Sequence, residues 1–467
     1  MGQNFIACDR EQSFLMPPDV REWLPEGHLA WFVLDAVAEM DLEPFYGAYR
    51  CDGHGRAAYE PAMMVTLLLY AYARGVRSSR AIERACEEDV AFRVIAAHQR
   101  PDHATIARFV ERHQDALAGL FGDVLGLCAQ AGLATIAVIA IDGTKVHANA
   151  SRDANLDYEQ LAREILEEAK AVDAAEDEAF GEARGDELPP ELATSQGRRG
   201  WLREAKRRLD EQRAAEARPV PQSRPKRVKE AKRRLDEELF NECQANAAYE
   251  AYRARGRMKD GRRFGGPPKP YQPPAVPEGT INVTDPDSRV VKGLRGFIQG
   301  YNAQAVANEH QIVLAADVMV ASPDFGHLEP MLDAAQKELA SAGLDATPDV
   351  VVADAGYWHQ DQMQRVVDRG IQVLIPPDSS RRKGARPGWD GGLYAFMRRV
   401  LETEHGSELY GKRQQIIEPV FGHTKFNRGM DRFHRRGRAA ARTEWRLITA
   451  THNLLKLWRH TTAPLPA

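Results

Sequence analysis

Three acidic side chains far apart in the chain carry the chemistry that this sequence suggests. Glu418 stands immediately before Pro419 and between cations at Arg413 and Lys425, within YGKRQQIIEPVFGHTK (410–425), in a region otherwise crowded with arginine. Proline is tolerated in the first turn of a helix and disrupts one deeper in, so Glu418 is expected at or just before a helix start. Lys425 follows about two turns later and would share its face. Such an acid is either a helix-start carboxylate paired with nearby cations, or one ligand of a metal that needs acidic partners from elsewhere.

Two buried strands offer those partners. TIAVIAID (135–142) is an apolar, β-branched run that ends in Asp142 and is followed by Gly143. VVVAD (350–354) repeats the arrangement, with Asp354 followed by Ala355 and Gly356. A carboxylate is costly to bury without partners, so Asp142 either caps the following turn or binds a metal. His147, beside the first strand, is either a ligand or a structural or DNA-facing residue. Paired divalent cations can activate a water and stabilise a leaving oxygen in phosphoryl transfer. Mg2+ prefers oxygen ligands and keeps several waters, so two aspartates and a glutamate suffice without cysteine or histidine. That is the chemistry of a nuclease or a strand transferase.

The elements around these residues alternate in type. Strand signals occur in INVTDPDSRVVKG (281–293), with a turn at Thr284 to Asp287, and again in GFIQGYNAQAVANEHQIVLAADVMV. A turn at Ser322 to Asp324 leads into a helix through LEPMLDAAQKELAS, and after Asp354 come a helix near Asp361 to Arg369 and a short strand, IQVLI (371–375). This predicts an α/β sheet with its carboxylates pooled at strand ends. In TEWRLITATHNLLKLWRH the residues Trp445, Ile448, His452 and Leu455 form a stripe that belongs in a core.

Residues 12–135 read as helical. PAMMVTLLLYAYARGV is apolar on most sides, as a buried helix is, and opens with a proline. Ser78 and Ser79 can cap RAIERACEEDVAFRVIA, and Asp102 or His103 opens ATIARFVERHQDALAGLF. These successive helices resemble a helix-turn-helix, with Ile106, Phe109 and Val110 set to pack and Arg108, Arg112 and His113 on the other face, available to DNA or simply solvated. From 155 to 255 Ala, Glu, Lys and Arg dominate, and EAKRRLDE occurs at both 204–211 and 230–237, separated by a proline-bearing break. This segment reads as an inserted antiparallel helical hairpin, by default a solvated arm, with DNA or a second subunit as the alternative partner. Residues 256–279, rich in Gly and Pro, are expected to link it back to the core.

At 467 residues, with 43 % hydrophobic and 28 % charged side chains, the chain can form more than one domain without staples. Five scattered cysteines with no CxxC pair argue against a disulfide framework and a cysteine zinc site, and for a reducing cytoplasm. No signal-like N-terminus or membrane-length apolar run is present, so no membrane role is expected. The net charge of −4 hides a strong polarity: from Ser379 onward 18 Lys+Arg face 7 Asp+Glu, while the preceding residues carry 45 against 60. A basic C-terminal portion is the footprint of phosphate contact, or else a solvated basic face.

AIDGTKVHANAS (140–151), NVTDPDSR with GYNAQ (282–304), VVADAGY (351–357), and YGKR with EPVFGHTK (410–425) together resemble the DDE transposases of bacterial insertion sequences. Tyr410, Arg413, Glu418 and Lys425 are similar to that superfamily's Tyr-Arg-Glu-Lys signature. Four residues separate Arg413 from Glu418 here, where the commonest form has three. EGHLAWFVLD, PAMMVTLLLYAYARGVRSSRAIERACEED and QRPDHATIARF resemble the helical domain of one branch, the insertion sequence 1182 group.

The resemblance implies a ribonuclease H-like α/β core, at 134–154 and 280–467, preceded by an all-helical DNA-binding domain at 1–133. The helical insertion (155–255) and its linker (256–279) would interrupt that core. Asp142, Asp354 and Glu418 would be catalytic and hold two Mg2+ ions, with Mn2+ able to substitute. Tyr410, Arg413, Lys425, Arg428, Arg432, Arg435, Arg436, Arg438, Lys145, Arg108 and Arg112 would contact DNA. The partners implied are double-stranded DNA, as terminal inverted repeats and as target, and further copies of the chain, a homodimer or higher, in a synaptic complex. The enzyme would be cytoplasmic and nucleoid-associated, and would cleave element ends and join them to target DNA. Alternatives are a domesticated DNA-binding protein without the reaction and a nuclease that only hydrolyses.

Overall fold

A computed structural model describes residues 20–49, 58–168, 220–221, 223–255, 271–293, 296–320, 323–378 and 391–462. The protein is mixed α/β, and the chain divides into two compact units, residues 1–117 with 454–467 and residues 118–453. No helix among the described residues is long and apolar enough to cross a membrane.

The described part of the first unit is helical: α1 (Leu29–Ala38), α2 (Glu43–Tyr46), α3 (Pro61–Ala73), α4 (Ser79–Glu88), α5 (Val90–Ile95) and α6 (His103–Arg112). In α3 Pro61 occupies the first turn, the Glu60 carboxylate accepts from Met63 N, and residues 64–73 are all buried. The segment expected as one helix after Ser79 is two. Asp89 breaks it by accepting from Ala91 N and Phe92 N, which caps α5. Asp102 opens α6 by accepting from Thr105 N. His113 does not share the outer face of Arg108 and Arg112: at the end of α6 the backbone leaves the helical path, and the ring is buried against Phe109, Phe45 and Tyr49.

Helix α7 (Gln114–Gln130) leads into the main sheet of the second unit, made of β1 (Val138–His147), β4 (Arg289–Gly293), β5 (Gly296–Asn308), β6 (Val313–Met319), β7 (Val350–Ala353) and β8 (Gln372–Leu374). Its order is β4-β5-β1-β7-β8, with β6 also pairing β5. β1 is central, antiparallel to β5 and parallel to β7. The first strand does not end at Asp142 as expected. Pairing with β5 continues to His147, so Asp142 lies inside β1. The two strands expected around Thr284 to Asp287 both exist, but in different sheets: β3 (Thr280–Asn282) pairs with β2 (Asn155–Asp157), and β4 joins the main sheet.

Helix α9 (Leu328–Ser341) packs on β5 and β6, and α10 (Gln360–Asp368) on β8. The chain ends through α11 (Gly392–Glu402), α12 (Glu404–Gly422) and α13 (Arg438–Thr462). The stripe expected on α13 is core: Trp445, Ile448, His452 and Leu455 are all buried. Trp445 Nε1 donates to Gln304 O (2.8 Å), and the Asn453 side chain accepts from Val313 N and donates to Val313 O (both 2.8 Å). The polar groups of Trp445 and Asn453 are thereby matched where they meet the sheet.

The insertion is anchored, not a free arm. Within α8 (Arg224–Ala254), Val228, Ala231 and Leu235 recur at helical spacing and pack with Leu161, Ile281 and Val283 in a small core of their own. Arg234 is almost completely enclosed, where it bonds Glu230 and Asp287. Burial works against the Glu230 carboxylate, yet hydrogen bonds from Arg233 and Arg234 hold it down at about 2. The first copy of the octapeptide, at 204–211, and with it the other limb of the expected hairpin, lies outside the described residues.

Candidate active site

The parallel register of β1 and β7 brings two of the three carboxylates together. Ile141 pairs with Ala353, so Asp142 and Asp354 are the next residues on neighbouring strands. Adjacent strands run about 5 Å apart, which makes the two aspartates near neighbours. Asp354 accepts from Gly356 N (2.8 Å) as the chain turns out of β7. Asp142 accepts from Gly143 N (2.7 Å).

The third carboxylate arrives from α12, which packs against β1, β5 and β7. Glu418 is not at a helix start: α12 spans Glu404–Gly422 and carries Pro419 in its interior. Proline removes the donor that would reach the carbonyl four residues back, Gln415 O. The side-chain amide of Gln311 supplies it instead, donating to Gln415 O at 2.9 Å. Gln311 reaches there from the β5–β6 turn, with a left-handed backbone (φ 62°). After Gly422 the helix widens into a π-turn, His423–Asn427, of the kind often found at functional sites. Lys425 sits on that turn and does not follow the α-helical register expected of it. Its Nζ donates to Lys145 O (2.8 Å) and Thr144 Oγ1 (3.1 Å), which joins the turn to β1.

Arg413 ties the group together. Its Nη1 donates to Asp142 Oδ2 at 2.7 Å, and Nη2 lies 3.6 Å from Glu418 Oε1. The Arg413 side chain is 13 % exposed and Asp142 17 %, while Glu418 is open at 56 %. Tyr410, one turn before Arg413, is half-buried, and burial raises its hydroxyl pKa. Burial pushes the Asp142 carboxyl up to about 6; Arg413 opposes this, and Asp354 and Asp324 add to it. Burial also raises Asp354, against the Gly356 N–H and with Asp324. Burial lowers the Lys425 ammonium.

Alternation along β1 splits the site residues between two faces. Asp142 and Thr144 share one, with Arg413 and Lys425; Gly143 and Lys145 occupy the other. On that second face lies an acid that the sequence reading missed. Asp324 Oδ1 accepts from Gln304 Nε2 (2.7 Å), Asn302 Nδ2 (2.8 Å) and Lys145 Nζ (3.4 Å). Gln304 also accepts from the buried Tyr357 hydroxyl. A Cβ on Gly143 would stand 2.4 Å from Asp324 Oδ1, so only glycine lets this network lie across β1. The signal was present as four buried polar residues, Gln299, Asn302, Gln304 and Asn308, in a strand that is buried for most of its length. Polar side chains inside a sheet mark something that they must satisfy.

The arginines expected to meet DNA divide in the same way. Arg432 and Arg436 are exposed and fasten to Ala148 O and Asn149 O. Arg428 is turned inward onto Ile448 O and Thr451. Arg438 is buried, with Nε on Val318 O (2.6 Å) and its backbone N on Asp287. Those two hold the fold, because their guanidinium groups donate to the protein itself. Arg435 is half-buried. Arg108 and Arg112 are exposed on α6, the latter over the Tyr49 ring at 5.0 Å. His147 bonds by its backbone to Asp431 O and Phe433 N, which is a structural role.

As placed, no three His, Cys, Asp or Glu side chains among the described residues stand close enough to hold one metal ion. The donor chemistry nevertheless fits a hard divalent cation. Asp142 and Asp354 are crowded oxygen donors whose unpaired charge burial already disfavours, and Glu418 is one guanidinium away.

Residues 18–112 match the family described as a transposase domain, and residues 280–454 match the family described as a transposase DDE domain. The second match takes in Asp324, Asp354, Arg413, Glu418 and Lys425, and begins after Asp142 and the insertion. No curated protein matches the chain, and no solved structure does.

Proposed function

From the premise that this chain is a DDE transposase of an insertion sequence, with DNA as its partner, we propose that it cleaves element ends and joins them to target DNA at Asp142, Asp354 and Glu418. The observation that carries the reading is the register of β1 and β7, which sets Asp142 beside Asp354, with Arg413 connecting Asp142 to Glu418. The order β6-β5-β1-β7-β8, with only β5 antiparallel to its neighbours, supports a ribonuclease H-like core. Membership of the insertion sequence 1182 group, a cytoplasmic, nucleoid-associated setting and the division into a DNA-binding domain, core and insertion belong to the same reading.

Divalent metal ions are the general cofactor of this family; we read Mg2+, as two ions, with Mn2+ as a substitute. When bound, such ions supply an activated water and charge stabilisation for the leaving oxygen. The carboxylates Asp142, Asp354 and Glu418 hold them. Arg413 presents a fork to a phosphate, and Lys425, fixed to β1 by two hydrogen bonds, holds positive charge beside it. Tyr410, half-buried one turn before Arg413, contacts the same DNA. Cleavage leaves a 3′-hydroxyl, which then attacks a target phosphate with displacement of the neighbouring 3′-oxygen, so one phosphodiester forms as another breaks. Arg432 and Arg436 meet the backbone, as do Arg108 and Arg112 on α6. Juxtaposing two ends calls for at least two copies of the chain.

The test uses purified protein with duplexes that carry the inverted repeats bracketing its reading frame. Mg2+-dependent nicking and joined products are expected, and Asp354→Asn should abolish both. Binding without nicking would mean a DNA-binding protein only, and cut ends without joined products a nuclease.

A further inference from the structure

Asp324 is a carboxylate to which the proposed reaction gives no part. Its Oδ1 is fixed by Asn302, Gln304 and Lys145, so this group cannot swing freely. Its other oxygen receives no hydrogen bond in the described structure and faces the turn that carries Asp354. Asp324 Oδ2 and Asp354 Oδ1 lie 3.5 Å and 2.9 Å from one point, the place that a Cβ on Gly356 would take. Only glycines stand where the two carboxylates approach β1 and the Asp354 turn, at Gly143 and Gly356. Beside it the Lys145 ammonium, 3.4 Å away, offsets part of its charge.

We propose that Asp324 is a fourth acidic residue of the cation-binding centre, one that sets how tightly the centre takes up a divalent cation, and that Lys145 opposes it. The proposal rests on the metal-dependent reading above. Four carboxylates, Asp142, Asp324, Asp354 and Glu418, face Arg413, Lys145 and Lys425, which leaves an excess negative charge that favours a cation. Asp324 stands on the opposite face of β1 from Asp142, so it acts as a positioning and charge-setting residue reached through Asp354. Asn302 and Gln304 on β5 exist to hold it there, and Gln304 is itself fixed by Tyr357 and by Trp445 through its carbonyl.

The experiment is calorimetric titration of the full chain with Mn2+, beside its melting temperature in chelator. Asp324→Asn keeps an oxygen for the amides and should weaken Mn2+ binding by about tenfold or more. Lys145→Met should tighten it. A merely structural acid would make both variants lose binding together, in step with lower melting temperatures. Wild-type affinity in Asp324→Asn, or weaker binding in Lys145→Met, overturns the proposal. Asp354→Asn separates the two levels: if it too binds Mn2+ like the parent chain, the metal-site reading fails and not only the part given to Asp324. Should Asp324→Asn fail to fold, Gly356→Ala, which puts a methyl between the two carboxylates, should weaken binding, and unchanged affinity there overturns the proposal equally.

Discussion

Gly143→Ala probes the centre most directly, because it adds one carbon and removes nothing. The new Cβ would stand 2.3 Å from Gln304 Nε2, 2.4 Å from Asp324 Oδ1 and 2.6 Å from Asn302 Oδ1. None of these ends can step aside cheaply: Gln304 is held by Tyr357 and Asp324, and Asn302 by Asp324. The backbone has little room to retreat either, since β1 stays paired with β5 from Ile139 through His147 and with β7 as far as Ile141. Overpacking of this kind costs about 1–3 kcal/mol, and loosening a hydrogen-bonded charge adds about 1.5–3 kcal/mol. The sum, about 2.5–6 kcal/mol, corresponds to at least about seventyfold faster opening of the local amides. Hydrogen exchange of peptides covering 138–147 and 300–308 reads this without assuming that the two units unfold together. An Asn302→Ala background, which removes one of the three obstacles, should recover part of the loss. Exchange within threefold of the parent, or strict additivity of the two substitutions, would refute the packing argument.

The remaining predictions concern charge. Asp285 is buried, with Tyr301 and Gly437 N donating to Oδ1, and burial together with Asp287 pushes its carboxyl up to about 6. A raised carboxyl takes up a proton on folding, so its cost is absent below the unfolded value near 3.8, grows as pH rises to about 6 and is full above it. Asp285→Asn should therefore be more stable than the parent at pH 7.5, by no more than about 3 kcal/mol, and should lose that advantage by pH 4 in urea titrations. Asp287→Ala should cost about 1.5–3 kcal/mol by the same measurement, since it strips a partner from the enclosed Arg234. On DNA, Arg432→Ala and Arg436→Ala should each reduce the slope of log affinity against log salt by roughly one. Arg438→Ala should lower the melting temperature and leave that slope unchanged.

Much of the site was legible because its parts are local. The apolar runs ending at Asp142 and Asp354 place two acids by strand periodicity alone, and the stripe through Trp445 and His452 places α13. Glu418 was misread in its helix because the rule for proline assumes that the lost hydrogen bond stays lost. Here Gln311, more than a hundred residues away, replaces it, and no local pattern encodes that. Asp324 was passed over as a turn residue for a similar reason: its importance lies in Asn302, Gln304 and Lys145, which belong to other strands. The insertion looked solvated because its charge dominates its composition, while Val228, Ala231 and Leu235 are few but aligned. Arginine count likewise predicted DNA contact without separating Arg432 and Arg436, which are exposed, from Arg428 and Arg438, which are spent internally.

Asp287 receives two claims at once: the guanidinium of Arg234 from the insertion, and the backbone N–H of Arg438 where α13 begins. The insertion is therefore also part of the foundation of the last helix. A shortened chain that drops residues 155–279 would uncover Ile281 and Val283, and would leave Asp287 with half of its partners at the base of that helix. Anyone trimming this protein to a minimal core would need to redesign that corner, for instance with a neutral residue at 287 and polar ones at 281 and 283, before the remaining sheet could be judged on its own.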